Sequence, residues 1–177
     1  VFTISGISGT FKQIVLGGMV SLGTNWAEIR TEKFIIDQNS TVTIPDTVKL
    51  YVTDELENNG TLEFAGTSSG VEYVVSNFTN NGTVTQTGTL TINGDFDSGD
   101  DSSSTYASVT LAPTGDAVTV SGYGQITTLN SGNNLGGKTI NFEKNITITG
   151  QNSNLKGSGN ENKLKIGGEG AITVENE

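Results

Sequence analysis

The chain of 177 residues contains no cysteine and no histidine. The first absence removes disulfide stapling, thiol nucleophiles and thiolate metal sites. The second removes imidazole, the usual acid–base group near neutral pH and the commonest zinc ligand. Cations are scarce as well: Arg30 is the single arginine, and nine lysines and arginines stand against nineteen aspartates and glutamates, a formal net charge of −10. That balance argues against nucleic acid or an anionic membrane as a partner, because both are held by cationic side chains. No segment approaches the roughly eighteen consecutive apolar residues of a spanning helix, so no membrane insertion is expected. Prolines number only two. Helical periodicity is missing too, apart from one short turn expected between Trp26 and Lys33.

What the chain does contain is alternation. Apolar–polar–apolar triplets recur at Val42-Thr43-Ile44, Leu50-Tyr51-Val52, Leu62-Glu63-Phe64, Leu90-Thr91-Ile92, Val118-Thr119-Val120, Ile140-Asn141-Phe142, Ile146-Thr147-Ile148, Leu164-Lys165-Ile166 and Ile172-Thr173-Val174. A period of two puts the outer members on one face of a strand, and threonine at the middle suits an exposed pleat. Gly, Asn, Asp or Ser punctuates almost every gap. The phrase Leu56-Glu57-Asn58-Asn59-Gly60-Thr61-Leu62 returns twenty-two residues later as Phe78-Thr79-Asn80-Asn81-Gly82-Thr83-Val84. A degraded third copy, Phe96-Asp97-Ser98-Gly99, follows after eighteen more. Asn-Gly is expected to supply a positive-φ corner in each of the first two copies.

Short strands repeating near twenty residues predict an all-β chain, a parallel β-helix (β-solenoid) of about eight short rungs. Between Val42-Thr43-Ile44 and Val48-Lys49-Leu50-Tyr51-Val52 only three residues intervene, enough for a corner and too few for a comfortable return in a sandwich. The competing architecture is a β-sandwich or jelly-roll subunit with a donated N-terminal strand. In the β-helix reading Asn59 lies over Asn81 and Leu62 stacks inside on Val84. The repeat begins after residue 30, which divides the chain into an N-terminal strand segment, 1–30, and a solenoid domain, 31–177.

Thr43-Ile44-Pro45, Val48-Lys49-Leu50-Tyr51-Val52 and Leu56-Glu57-Asn58-Asn59-Gly60-Thr61-Leu62 resemble the repeats of secreted bacterial and archaeal β-helix surface proteins of the adhesin-like kind. The likeness covers roughly Phe34 to Phe96, with a looser echo from Ile126 to Val174. It implies the coil and leaves the binding face open, while the acidic, cysteine-free composition rich in threonine, asparagine and glycine points to a secreted or cell-surface location.

Four carboxylates gather at Asp95, Asp97, Asp100 and Asp101, and alternating aspartates around a glycine suit calcium, which wants six to eight oxygen ligands. The lesser cluster Asp54, Glu55 and Glu57 reads as a charged corner. Sequons stand at Asn39, Asn59, Asn77, Asn81 and Asn145, candidate glycosylation sites in a number that this composition yields by chance. Tyr51, Tyr73, Tyr106, Tyr123 and Trp26 offer aromatic surface for a sugar, with Tyr51 and Tyr73 an axial pair. Enzymatic β-helices need basic grooves or acidic pairs held on fixed rungs, and a lone arginine with acids in corners argues for a protein that is not an enzyme. Phe2, Ile4, Ile7, Phe11, Ile14 and Leu16 form an apolar extended stretch, expected either to cap its own coil or to pair with a neighbouring copy. The expectation is a secreted structural protein that assembles with itself head to tail into a filament or lattice. The alternative is an adhesin or glycan-binding module.

Overall fold

The computed structural model describes residues 1–23, 25–68, 70–133, 135–150, 153–156, 165–167 and 171–174. Among these, the chain forms eighteen strands and no helix: β1 (Phe2–Ile4), β2 (Gly9–Leu16), β3 (Met19–Leu22), β4 (Ala27–Ile36), β5 (Thr41–Ile44), β6 (Val48–Asn58), β7 (Thr61–Phe64), β8 (Tyr73–Asn80), β9 (Thr83–Gln86), β10 (Leu90–Ile92), β11 (Phe96–Asp97), β12 (Thr105–Leu111), β13 (Ala117–Ser121), β14 (Gln125–Ser131), β15 (Thr139–Phe142), β16 (Asn145–Ile148), β17 (Lys165–Gly167) and β18 (Ala171–Val174). Every pairing between them is parallel, and each joins strands one turn apart. The molecule is a β-solenoid of about seven turns, close to the number expected. A sandwich, built from antiparallel hairpins, is excluded.

The pairings sort the strands into three sides. Side A stacks β1, β3, β5, β7 and β9, then the starts of β12 and β14, then β16 and β18. Side B stacks the leading halves of β2, β4, β6 and β8 with β10 and the ends of β12 and β14. Side C stacks the trailing halves of the same long strands with β11, β13, β15 and β17. The long strands turn the corner between sides B and C, and the ladder registers this as shifts between Thr31 and Lys33 and between Val52 and Glu55.

Alternation then builds the core. One member of each side A triplet joins the file Phe2, Val20, Val42, Leu62, Val84. Side B contributes Ile29, Leu50, Tyr73, Leu90, Val109 and Leu129. Side C contributes Ile14, Phe34, Leu56, Phe78, Phe96, Val120 and Phe142. Most of these side chains are fully buried, each worth about 1.5–3 kcal/mol in transfer free energy. At mid-coil, Phe64, Tyr73, Phe78, Phe96 and Tyr106 meet as tilted, edge-on and stacked pairs with ring centroids 4.9 to 6.4 Å apart.

Three expectations need correction. The segment Trp26 to Lys33 is not a helical turn, because Ala27 begins β4, whose apolar residues Ile29, Phe34 and Ile36 face the core. No break falls at residue 30 either: β4 crosses it, and β1 to β3 already stack in register with the turns above. Finally, Gly60 and Gly82 do not adopt positive φ. Glycine is needed there for clearance, since a Cβ on Gly82 would enter the carbonyl oxygen of Gly60 one turn away, and one on Gly60 would strike the backbone of Ser40 and Asp37. The left-handed residue of that corner is Asn39, at φ 60°.

This distinction is measurable. Gly82→Ala forces two turns apart and is expected to cost about 3 kcal/mol or more, as backbone overpacking does. Gly18→Ala, at φ 82° with nothing within 4 Å of the added methyl, is expected to cost only the left-handed penalty of about 1–2 kcal/mol. Urea unfolding of the two variants separates steric clearance from conformational strain, and the reverse order would contradict the fold's corner geometry.

Candidate functional site

The first turn leaves its own core uncovered. Phe2 lies in the same inward file as Val42, Leu62 and Val84, yet it is 78% exposed where they are 0% exposed. Ile4, Ile14 and Leu16 also occupy inward positions, as does Phe11, which pairs with buried Thr31 and is 36% exposed. Ile7 packs against the core from the connection between β1 and β2. All six residues singled out in the sequence for assembly are therefore gathered at one end of the coil. Outward-facing Val15 and Met19 extend the apolar rim. Among the described residues β1 pairs only with β3 and β2 only with β4, so one row of their N–H and C=O groups faces outward along the axis. The charge is concentrated in the middle of the chain: Lys12, Arg30, Lys33 and Lys49 balance Glu28, Glu32, Asp37 and Asp46. Residues 1–49 thus carry no net charge, five lysines balance five glutamates in residues 133–177, and the whole −10 belongs to residues 50–132.

A buried polar ladder holds the corner between sides C and A. Asn58 Nδ2 donates to Asn80 Oδ1 at 2.9 Å, and Asn80 Nδ2 donates to Ser104 Oγ at 2.9 Å and to the Ser98 carbonyl at 3.1 Å. The amides of Gly60 and Gly82 donate to Asn58 Oδ1 and Asn80 Oδ1 at 3.2 and 3.1 Å. Outside this ladder runs a second one, in which Asn81 Nδ2 donates to Asn59 Oδ1 at 2.8 Å, as the twenty-two-residue repeat implied. Three of the five sequons share this corner: Asn39, Asn59 and Asn81. The Nδ2 of Asn59 is held by Glu57 at 2.8 Å and that of Asn81 by Asn59, so a glycan on either replaces a bond of the ladder, whereas Asn39 is exposed. Asn77 lies on side C, where its Oδ1 accepts from the Asp95 amide, and Asn145 opens β16.

The four aspartates expected to hold calcium do not converge. Asp95 Oδ1 accepts from the Thr119 amide at 2.8 Å, and Asp97 Oδ1 from the Gly99 amide at 3.0 Å. Asp100 pairs with Lys144 Nζ at 3.2 Å, while Asp101 accepts from the Ser103 amide and hydroxyl, which hold its carboxyl below the usual range. Asp95 and Asp97 flank Phe96 of β11 on side C, whereas Asp100 and Asp101 lie beyond the corner. Lys144, from a later turn, draws Asp100 away, and its ammonium also sits 5.6 Å over the Tyr123 ring. Among the described residues no group of three or more acidic side chains is placed to share an ion. Instead, Glu55, Asp95, Asp97 and Glu143 line an open groove of about 440 Å³ on side C together with Asn77 and Thr79. In the lesser cluster, Lys33 lies 3.7 Å from Asp54 and 4.0 Å from Glu55, and Glu57 accepts from Asn59.

The aromatic platform is likewise not assembled. Tyr73 is in register with Leu50 and Tyr51 with Val74, so neighbouring turns send these two tyrosines to opposite faces. Tyr73 and Tyr106 belong to the core, where their hydroxyls donate to the carbonyls of Ile44 and Ser98 at 3.0 Å. Trp26 and Tyr123 remain exposed. Tyr51 stands outside on side B in a network that sequence spacing gave no means of finding. The Arg30 guanidinium lies 4.0 Å over its ring, its hydroxyl donates to Glu72, and Lys49 Nζ donates to Glu72 at 3.4 Å. The bond to the Glu72 carboxylate is the main reason that the Tyr51 pKa is pushed up to about 12.

Alkaline titration tests this network. A phenol whose folded pKa is raised adds stability that is complete below its ordinary value of 10.0 and is lost as pH rises through the folded value. Burial raises Tyr73 and Tyr106 as well, so stability is expected to fall steadily above about pH 10. Ultraviolet titration of Glu72→Gln should show one phenol ionising at lower pH than in the unsubstituted protein. An unchanged titration curve would contradict the assignment.

In comparisons with known proteins, the chain matches no family model, no curated protein and no solved structure.

Proposed function

We propose that the protein is an extracellular structural subunit that builds a filament or surface lattice by stacking copies head to tail. The observation that carries this reading is the uncovered end of the core: Phe2 stands 78% exposed at the foot of a file whose other members are buried. Covering it with a further parallel turn removes apolar surface from water and pairs the open row of β1 and β2 in one step. β18 stacks on side A as β1 does, and β17 on side C as the trailing half of β2 does, so strands of a second copy in the same orientation would extend the same sides. Such a contact is heterologous and propagates unless it closes into a ring. The extracellular placement rests on the acidic, cysteine-free composition rich in threonine, asparagine and glycine.

The experiment is a comparison of the full chain with Phe2→Asp/Ile4→Asp, which puts two carboxylates on the open end. Sedimentation velocity should show the full chain growing with concentration and the variant remaining a folded monomer by circular dichroism. A full chain that stays monomeric at high concentration, or a variant that assembles equally well, would overturn the proposal.

A further inference from the structure

Side A carries an array that neither the core nor the assembly surface explains. Its outward positions form two files. One runs Met19, Thr41, Thr61, Thr83 in direct register, with Ser103 Oγ 3.5 Å from Thr83 Oγ1 on the next turn. The other runs Thr3, Ser21, Thr43, Glu63, Thr85, Thr105, Gln125, Thr147. From β5 to the start of β12 every outward residue except Glu63 is therefore a threonine or a serine.

We propose that side A is an ice-binding face. Hydroxyls and methyls repeat there on a two-dimensional lattice, about 4.8 Å from turn to turn and about 6.7 Å between alternate residues of a strand. These two lengths lie close to the two lattice repeats of an ice prism face. The register is clean where it has to be: no shift interrupts the ladder from β1 to β9 on this side, whereas the corner between sides B and C contains two. Threonine suits the task because its β-branch fixes χ1, so each methyl and hydroxyl is held at a lattice point and is not averaged over rotamers. An isolated contact of this kind is weak, and only a ligand with the same periodicity engages all of them at once.

Charge separates side A from its neighbours. Glu63 is the only ionisable acid or base at an outward position of this side among the described residues, and its carboxylate accepts from the Thr43 hydroxyl at 3.1 Å. Side C, by contrast, exposes Glu55, Asp95, Asp97 and Glu143 around its groove, and side B presents Arg30, Lys49 and Glu72. A neutral face complements a neutral water lattice, which offers no counter-ion to a strongly hydrated charge. A crystalline polysaccharide shares that neutrality but is gripped by aromatic stacking, and between Met19 and Thr105 neither file contains an aromatic residue. Stacking along the axis leaves this side uncovered, so the inference does not depend on the filament.

The test uses the full chain and ice itself. The protein should partition into a slowly growing ice body, facet single ice crystals and open a gap between melting and freezing points. Thr61→Tyr/Thr83→Tyr should abolish the gap, while Thr91→Tyr, on side B, should leave it intact. Glu63→Thr completes the array and should widen the gap, a gain that a misfolded variant cannot mimic. Exclusion of the unsubstituted protein from ice overturns the proposal. So does equal loss in the side A and side B variants, and so does adsorption to crystalline polysaccharide with no effect on ice.

Discussion

The corner between sides C and A is the constraint on which the rest of the structure depends. Gly82 stacks on Gly60 so closely that no side chain fits between them, and the buried amides of Asn58 and Asn80 bridge the same two turns. The amides satisfy backbone donors that would otherwise be stranded inside the coil, and a stranded buried donor costs about 1–3 kcal/mol. Clearance and hydrogen bonding together allow one vertical register and penalise its neighbours, since a slip of a single residue would turn every apolar triplet inside out.

Once the register is set, the rest of the molecule follows from repetition. Each inward position meets its counterpart one turn away, so the interior becomes continuous files, with aromatic residues clustered where Phe64, Tyr73, Phe78, Phe96 and Tyr106 converge. Each outward position does the same, and three surfaces of different chemistry result: hydroxyls on side A, an aromatic and ionic network on side B, carboxylates on side C. A solenoid differs from a globular core in having ends. The first turn exposes both apolar residues in line with the core and an unpaired strand row, and the proposed second copy would cover both.

Much of this was legible in the chain. Period-two triplets separated by glycine and asparagine are a local signal, and they identified the coil, the inward set and the stacking of Asn81 on Asn59 and Val84 on Leu62. What the residues concealed was anything decided between turns. Asn-Gly suggested a left-handed glycine, but the positive φ fell to Asn39, and glycine was required by the carbonyl lying one turn away. Tyr51 and Tyr73 are spaced like neighbours, yet the chain between them changes the phase of the strand, so one points out and the other in. Four clustered aspartates looked like a cation loop until Lys144, from a later turn, claimed one of them and nearby amides the rest.

The central claim is that copies continue one another's ladder through the first turn, and cryo-electron microscopy of the concentrated protein tests it most directly. The account predicts unbranched filaments with strands perpendicular to the axis, about 4.8 Å apart, and a subunit rise of roughly 34 Å, about seven turns of that spacing. Isolated coils, or copies joined side by side with β1 and β2 open to solvent, would contradict it.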